Sequence, residues 1–178
     1  MEPSVHPYCF FQPQEITCHM TEKEHQFVGD AEDTLKRTLT LPNDINTIPQ
    51  LSEFIENICE DLGIDMSVTM SLNLAIEEAV VNVMNYAYPV GTSGEVSITV
   101  VANERRIQFV IADSGKPFDP TAKGEVDTTL SAEDRPIGGL GIHLVRQIMD
   151  SVNYEYANDR NILTLCKLLA PNKEQKNK

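Results

Sequence analysis

The amino-acid sequence predicts an α+β domain in which helices pack on one face of a mixed, largely antiparallel sheet. Apolar residues recur at helical spacing between Ile48 and Ala87, and their period changes to two from Val96 onward. Another helical stretch follows Gly141, and two further alternating segments come after it. No internal repeat is present, so this order of elements favours one two-layer unit.

Composition divides the 178 residues into three parts. Residues 1–33 mix prolines with polar residues and lack an apolar period, so we predict an arm outside the core fold. Residues 34–170 form the predicted domain, and residues 171–178 form a charged, frayed tail. The arm holds five residues that can bind zinc, but their spacing fits no familiar ligand pattern, which favours an irregular arm. These residues are His6, Cys9, Cys18, His19 and His25.

The first part of the domain reads as a short strand and two helices. Leu39 and Leu41 alternate with threonines, as in a strand, and Asp44 then supplies helix-cap chemistry. Gly63 is placed to end the first helix in a left-handed conformation, and a second helix is predicted from about Met66 to Ala87. The apolar positions of the first helix are Ile48, Leu51, Ile55, Ile58 and Leu62.

The second part of the domain reads as two hairpins with a loop and a helix between them. Residues 96–100 and 107–111 alternate in polarity and predict an antiparallel pair whose strands each have one buried face. Residues 113–136 are polar and too many for a simple connection, so we interpret them as a candidate lid. After the third helix, strands are predicted at 154–157 and 162–169.

Charge and hydropathy exclude several classes of function. The chain carries 27 acidic and 14 basic residues, a net charge of -13, and no local basic patch that would attract nucleic acid or an anionic membrane. Its first residues do not resemble a secretion signal, and no apolar run approaches the ~18 residues of a membrane span. The four cysteines form no C-x-x-C pair. We therefore expect a cytoplasmic protein with reduced thiols.

The second predicted helix carries a carboxylate and two amides on one face. At ~100° per residue, Glu78, Asn82 and Asn85 fall within an arc of about 60°, while Glu77 points about 100° away from Glu78. A carboxylate one turn from an amide suits a general base beside a Mg²⁺ ligand. An ordinary solvated helix face would show the same residues.

A second motif, Asp113-Ser114-Gly115-Lys116-Pro117-Phe118-Asp119, follows a predicted strand. A carboxylate at a strand end can accept a hydrogen bond from an exocyclic amine such as that of adenine. A glycine two residues later lets the backbone approach a flat ring closely. A simple turn after the strand is the alternative interpretation.

A third motif, Gly138-Gly139-Leu140-Gly141, opens the third predicted helix. Glycines at this position free backbone N–H groups to bind an anion at the positive end of a helix. Arg135, just upstream, is a candidate donor to a polyphosphate. Close helix packing and a solvated arginine are the alternatives. The order of the three motifs indicates a nucleotide pocket.

These motifs resemble the N box and the two glycine boxes of the ATP-binding superfamily shared by DNA gyrase, sensor histidine kinases and MutL. Within it, the chain resembles the bacterial anti-sigma-factor serine kinases from about Leu39 to Leu169. The resemblance implies the histidine-kinase-like ATPase fold, also called the Bergerat-type ATP-binding fold. It also implies that the protein uses ATP and Mg²⁺.

The resemblance further implies a role for each matched residue. Glu78 would be the general base, Asn82 would hold Mg²⁺ on the ATP phosphates, and Asp113 would bind the adenine amine. Glycines would shape the pocket, and Arg135 would hold the terminal phosphate. The full set assigned to the nucleotide is Asn82, Asn85, Asp113, Gly115, Arg135, Gly138, Gly139, Leu140 and Gly141.

In that family the phosphate acceptor is a serine or threonine on a STAS-fold anti-anti-sigma protein. The unphosphorylated STAS protein competes with an RNA polymerase sigma factor for the kinase, and the kinases are usually dimers. The resemblance thus implies an anti-sigma factor that phosphorylates its antagonist. The alternative is an ATP-binding module that sequesters a partner without transferring phosphate. A sensor histidine kinase is disfavoured because none of the four histidines lies in a dimerisation helix.

Overall fold

A computed structural model describes residues 35–121 and 139–170, and within these ranges five strands form one sheet that packs against three helices. The strands are β1 Leu35–Pro42, β2 Glu95–Ala102, β3 Arg106–Asp113, β4 Ser151–Ala157 and β5 Arg160–Leu168. The helices are α1 Ile48–Asp61, α2 Met66–Tyr86 and α3 Gly139–Ile148. A short 3₁₀ turn, Ile45–Thr47, precedes α1.

The spatial order of the strands is β1-β2-β3-β5-β4. All four described pairings are antiparallel. β3 and β4 run in the same direction, but β5 lies between them and pairs antiparallel with both. The predicted α+β class with a largely antiparallel sheet is therefore confirmed. The sheet was also predicted to be mixed, but the helical crossover after β3 creates no parallel pair among the described strands.

The core lies between one face of the sheet and the helices. Alternate residues of β2, including Val96 and Ile98, are fully buried against this layer, as are Leu72 and Ile76 of α2. Each such side chain stabilises the fold by roughly 1.5–3 kcal/mol. β3 differs from the prediction of one buried face: it is buried on both faces over residues 107–111. It is the middle strand, with hydrogen-bonded neighbours on both sides.

Two predicted helix signals are present, one at the end of α1 and one at the start of the 3₁₀ turn that precedes it. Gly63 adopts a φ of 64°, and the N–H of Ile64 donates to the carbonyl of Cys59 at 2.9 Å. This is the left-handed ending that glycine accommodates without a Cβ penalty. Asp44 accepts a hydrogen bond from the N–H of Asn46 at 3.0 Å, and so caps the 3₁₀ turn.

The final hairpin is tighter than predicted. Asn158 and Asp159 have φ values of 52° and 58°, as in the two-residue turns that match the twist of antiparallel strands. β5 consequently begins at Arg160, two residues before the predicted start. This places Asn161 inside the sheet, directly opposite Asp113 of β3.

Several predictions concern residues outside the described ranges. The predicted arm 1–33, the tail 171–178 and most of the candidate lid belong to this group, and so do the five possible zinc ligands. Among the helices that the structure describes, none is long and apolar enough to cross a membrane.

Candidate active site

A cleft opens between α2, α3 and the end of the sheet where β3 finishes. The cleft is narrow, with a cavity volume of about 40 Å³. Its apolar walls include Ala79, Val83, Ile111, Ile142 and Leu163. Four polar side chains interrupt these walls: Asn82, Asp113, Tyr154 and Asn161. An apolar cleft with few, convergent polar groups is typical of a ligand site.

The structure separates the two adjacent glutamates of α2. Glu77 faces α1, where its Oε1 accepts a hydrogen bond from the Ser52 hydroxyl at 2.5 Å. Glu78 faces α3, and a Cβ atom placed on Gly141 would lie 2.5 Å from Glu78 Oε2. Within the described residues Glu78 accepts no hydrogen bond, so its carboxylate is available to take up a proton.

Asn82 lies one turn further along α2, on the same side as Glu78. The Cβ position on Gly141 would be 3.3 Å from Asn82 Nδ2, so both side chains lie beside the start of α3. Asn85 shares their predicted arc but is exposed and does not line the cleft. Seven residues separate it from Glu78, which is about 10 Å along the helix axis. The predicted arc gave the direction of the Asn85 side chain around the helix, but not its position along the helix axis.

Asp113 ends β3, lines the same cleft as Asn82 and is only 3% exposed. Its Oδ1 accepts hydrogen bonds from the N–H of Gly115 and from Asn161 Nδ2, each at 2.8 Å. Both bonds engage the same oxygen. Oδ2 accepts none from the residues that the structure describes, so it remains available for a donor on a ligand.

Sequence reasoning missed Asn161 and Tyr154, which support this carboxylate. The Tyr154 hydroxyl donates to Asn161 Oδ1 at 2.7 Å, and burial raises the pKa of the Tyr154 phenol, which keeps it protonated as a donor. The prediction placed Asn161 in a turn. A signal was nevertheless present, because Asn161 begins the inward alternation that continues with Leu163 and Leu165.

Gly115 allows the loop after β3 to pack closely on the end of α2. The N–H of Lys116 donates to the carbonyl of Ala87 at 2.8 Å, and a Cβ on Gly115 would overlap that same carbonyl oxygen. The sequence predicted that this glycine would permit close approach to a flat ring. In the structure the close approach is to the helix end, which fixes the loop beside Asp113.

We predict that Gly115→Ala lowers the free energy of unfolding by about 1–3 kcal/mol, because a backbone carbonyl cannot move aside as a flexible side chain does. The variant should also bind nucleotide more weakly, since the loop carries a donor to Asp113. Denaturant unfolding and nucleotide titration measure the two effects. Ser114→Ala, at the exposed neighbouring position, is the control. Equal stability of both variants would contradict this explanation.

The start of the candidate lid is tied to the rest of the site. Asp119 Oδ1 accepts hydrogen bonds from the N–H and the hydroxyl of Thr121, at 2.7 and 2.6 Å. Arg146 of α3 donates to the carbonyl of Thr121 at 2.7 Å. The last described residue of this loop, Thr121, is therefore held against α3.

The third motif is described only in part. Arg135 and Gly138 lie outside the described residues, and Gly139 and Leu140 are described only as backbone in the first turn of α3. Gly141 is the third residue of that helix and lies against Glu78. The positive end of a helix thus lies beside the carboxylate and amide of α2, which is where an anionic group would bind.

Comparison with known proteins agrees with this geometry. The histidine kinase-like ATPase domain family matches residues 41–167. The serine/threonine-protein kinase BtrW of Bordetella bronchiseptica is 31% identical over 101 residues, which cover 57% of this chain and 71% of that protein. The serine-protein kinase RsbW of Halalkalibacterium halodurans is 30% identical over 117 residues, which cover 60% of this chain and 71% of that protein.

The fold is also similar to that of a solved structure. It contains the RsbU and RsbW domains of Rv1364c from Mycobacterium tuberculosis, and the TM-score is 0.55 at 17% sequence identity. The match covers 78% of this chain and 33% of that one. At this identity the likeness supports the fold alone.

Proposed function

Because the chain belongs to the histidine kinase-like ATPase domain family, and within it to the serine-protein kinases, we propose that it transfers phosphate from ATP to a partner protein. The acceptor in this proposal is a serine or threonine on a STAS-type anti-anti-sigma protein. When that protein is absent or already phosphorylated, the kinase sequesters an RNA polymerase sigma factor.

One observation carries the proposal: Glu78 and Asn82 lie together against the first turn of α3, and Asn82 lines the same cleft as Asp113. ATP has an amine at one end and a polyphosphate at the other. The buried Asp113 suits the amine, and the helix start suits the phosphates. Apolar walls between these two ends suit a purine ring.

In the proposed reaction, Glu78 accepts the proton of the acceptor hydroxyl as the hydroxyl oxygen attacks the γ-phosphorus. A new P–O bond forms to the acceptor, the bond from the γ-phosphorus to the bridging oxygen breaks, and ADP leaves with that electron pair. The protein contributes position and charge rather than covalent chemistry. Donors at the start of α3 would stabilise the charge that develops on the phosphate oxygens.

The residues present fit a magnesium ion that arrives with the nucleotide. Asn82 and Glu78 both approach the start of α3, and each carries a side-chain oxygen, the donor type that Mg²⁺ prefers. Mg²⁺ commonly takes its remaining ligands from phosphates and water. Asn82 would hold the ion. Within the described ranges, no three His, Cys, Asp or Glu side chains form a metal cluster. When bound, the ion would neutralise phosphate charge.

The regulatory part of the proposal rests on the resemblance to the anti-sigma-factor kinases. It includes binding of a sigma factor, a homodimeric state and a cytoplasmic location. By the same resemblance, Arg135 would help to hold the terminal phosphate. Partner switching would then follow from phosphorylation of the STAS protein, which releases it from the kinase.

The proposal is tested by incubating the purified protein with γ-labelled Mg-ATP and a STAS-fold protein from the same organism. We expect label on a serine or threonine of the STAS protein. Asn82→Ala should reduce this transfer by about 10²–10³-fold, because an electrostatic group at the phosphates is lost. Asn85→Ala is the matched control on the exposed part of α2 and should retain full transfer.

Two other outcomes would contradict this proposal. ATP binding with no transfer to the STAS protein would favour a module that sequesters a partner without transferring phosphate. Accumulation of ADP without any phosphoprotein would indicate an ATPase that switches partners by lid closure.

A further inference from the structure

We propose that Asn161 makes this site selective for adenine, because it holds Asp113 in the orientation that presents Oδ2 to an exocyclic amine. The inference rests on the proposed nucleotide site. It assigns to Asn161 a positioning role, which acts through Asp113 and the loop after β3.

The orientation of the Asn161 amide is determined by its surroundings. Its Nδ2 faces three groups that can only accept: Asp113 Oδ1 at 2.8 Å, the Lys116 carbonyl at 3.1 Å and the Gly115 carbonyl at 3.4 Å. Its Oδ1 faces the N–H of Phe118 at 3.2 Å, a group that can only donate. Flipping the amide would set oxygen against oxygen on one side and N–H against N–H on the other.

The bonds to Asp113 leave one oxygen of its carboxylate for the ligand. Asn161 and the N–H of Gly115 both donate to Oδ1. Oδ2 can then accept a hydrogen bond from the 6-amino group of adenine. Hypoxanthine and guanine carry an oxygen at that position, which would face the carboxylate oxygen and be repelled. A ligand that leaves this buried acceptor without a donor binds much more weakly than one that supplies the donor.

Asn161 itself has no free hydrogen-bonding capacity for the nucleotide. Its two N–H bonds are shared among three acceptors, and the two lone pairs of Oδ1 are taken by the Tyr154 hydroxyl and the Phe118 N–H. The residue is 6% exposed. Its influence on the base therefore passes through Asp113, and the same bonds hold the loop that approaches Ala87.

Other residues at position 161 could not make these bonds. An ionised aspartate offers only acceptors, and leucine, of similar size, offers neither donor nor acceptor. Either change would remove one of the two described donors to Oδ1 of Asp113 and leave only the Gly115 N–H, so the carboxylate would be held less firmly. The selectivity for the amine should then fall together with the affinity for ATP.

The experiment measures the affinities of ATP and inosine triphosphate (ITP) by competition against a fluorescent ATP analogue. For Asn161→Leu we expect ATP affinity to fall about 10- to 100-fold, while ITP affinity changes by less than about threefold. The ratio between the two nucleotides should therefore collapse. Asn153→Leu makes the same chemical change at an exposed position of β4 and should leave both affinities unaltered.

A second variant covers the case in which Asn161→Leu does not fold. Asn161→Asp sets a second carboxyl against Asp113, and two such close groups share a proton with a raised apparent pKa. That proton restores a hydrogen bond between them. ATP affinity of this variant should therefore increase as the pH is lowered, whereas that of the wild-type protein should not.

The outcomes separate this inference from the proposed function. Equal losses of ATP and ITP affinity in Asn161→Leu, or an unchanged ratio, would overturn the role of Asn161 while leaving the nucleotide site intact. A wild-type protein that binds ATP but transfers no phosphate would contradict the kinase proposal alone. Failure of the wild-type protein to bind ATP would contradict both.

Discussion

Glu78→Gln should lower phosphoryl transfer by about 10²–10⁴-fold and leave ATP affinity nearly unchanged. The glutamine side chain has the length of glutamate and keeps its contact with Gly141, but it cannot accept the proton of an attacking hydroxyl. Because binding and chemistry are affected separately, kcat should fall while the Kd for ATP stays within about threefold. Single-turnover transfer of label and a direct binding titration provide the two measurements.

The neighbouring glutamate provides a matched control. Glu77→Gln makes the same substitution one residue earlier on α2, where the side chain pairs with Ser52 of α1 instead of facing the cleft. This variant should transfer phosphate at close to the wild-type rate. If Glu77→Gln and Glu78→Gln lose activity equally, or if Glu78→Gln remains fully active, then Glu78 is not the general base.

Gly141→Ala should reduce phosphoryl transfer by about 10²-fold while leaving the protein as stable as the wild type or more so. The new methyl group would overlap Glu78 Oε2, the far end of a flexible side chain, so the carboxylate would turn away without disturbing the backbone. A displacement of ~1 Å at a catalytic group can cost 10²-fold in rate. Alanine also favours a helix interior by about 0.5–1 kcal/mol over glycine.

Gly91→Ala is the opposite case and serves as the control. Gly91 has a φ of 80° with nothing within 4 Å of the Cβ position, so alanine should cost about 1–2 kcal/mol of stability without touching the cleft. Thermal unfolding and transfer assays on both variants should show two opposite patterns. A Gly141→Ala protein with full activity would contradict the contact between Glu78 and α3 as a determinant of catalysis.

Most of the fold was predictable because its signals are local. Helix α2 was predicted at 66–87 and runs over Met66–Tyr86, and Gly63 ends α1 as expected. Strand starts were less predictable. β4 begins at Ser151 rather than 154, and β5 at Arg160 rather than 162, because pairing with neighbouring strands extends a strand beyond its own alternating segment.

The candidate site was predictable only where a motif has a fixed spacing. Glu78 and Asn82 are one turn apart on one helix, so their proximity follows from helix geometry. Asn85 shares their direction but lies outside the cleft, because helix periodicity says nothing of where the neighbouring helix ends. Asn161 and Tyr154 were not predicted as site residues, because it is only the order of the strands in the sheet that places them beside Asp113.

The sequence by itself determined the order of helices and strands, the family resemblance and the chemistry available in the three motifs. Each depends on residues close together along the chain, where backbone periodicity limits what can form. The tertiary structure alone decided that Glu78 lies against Gly141 of α3 and that Glu77 pairs with Ser52 of α1. It also decided that β5 inserts between β3 and β4, so that Asn161 meets Asp113 across 48 residues of sequence. Such contacts depend on long-range packing, which no local pattern records.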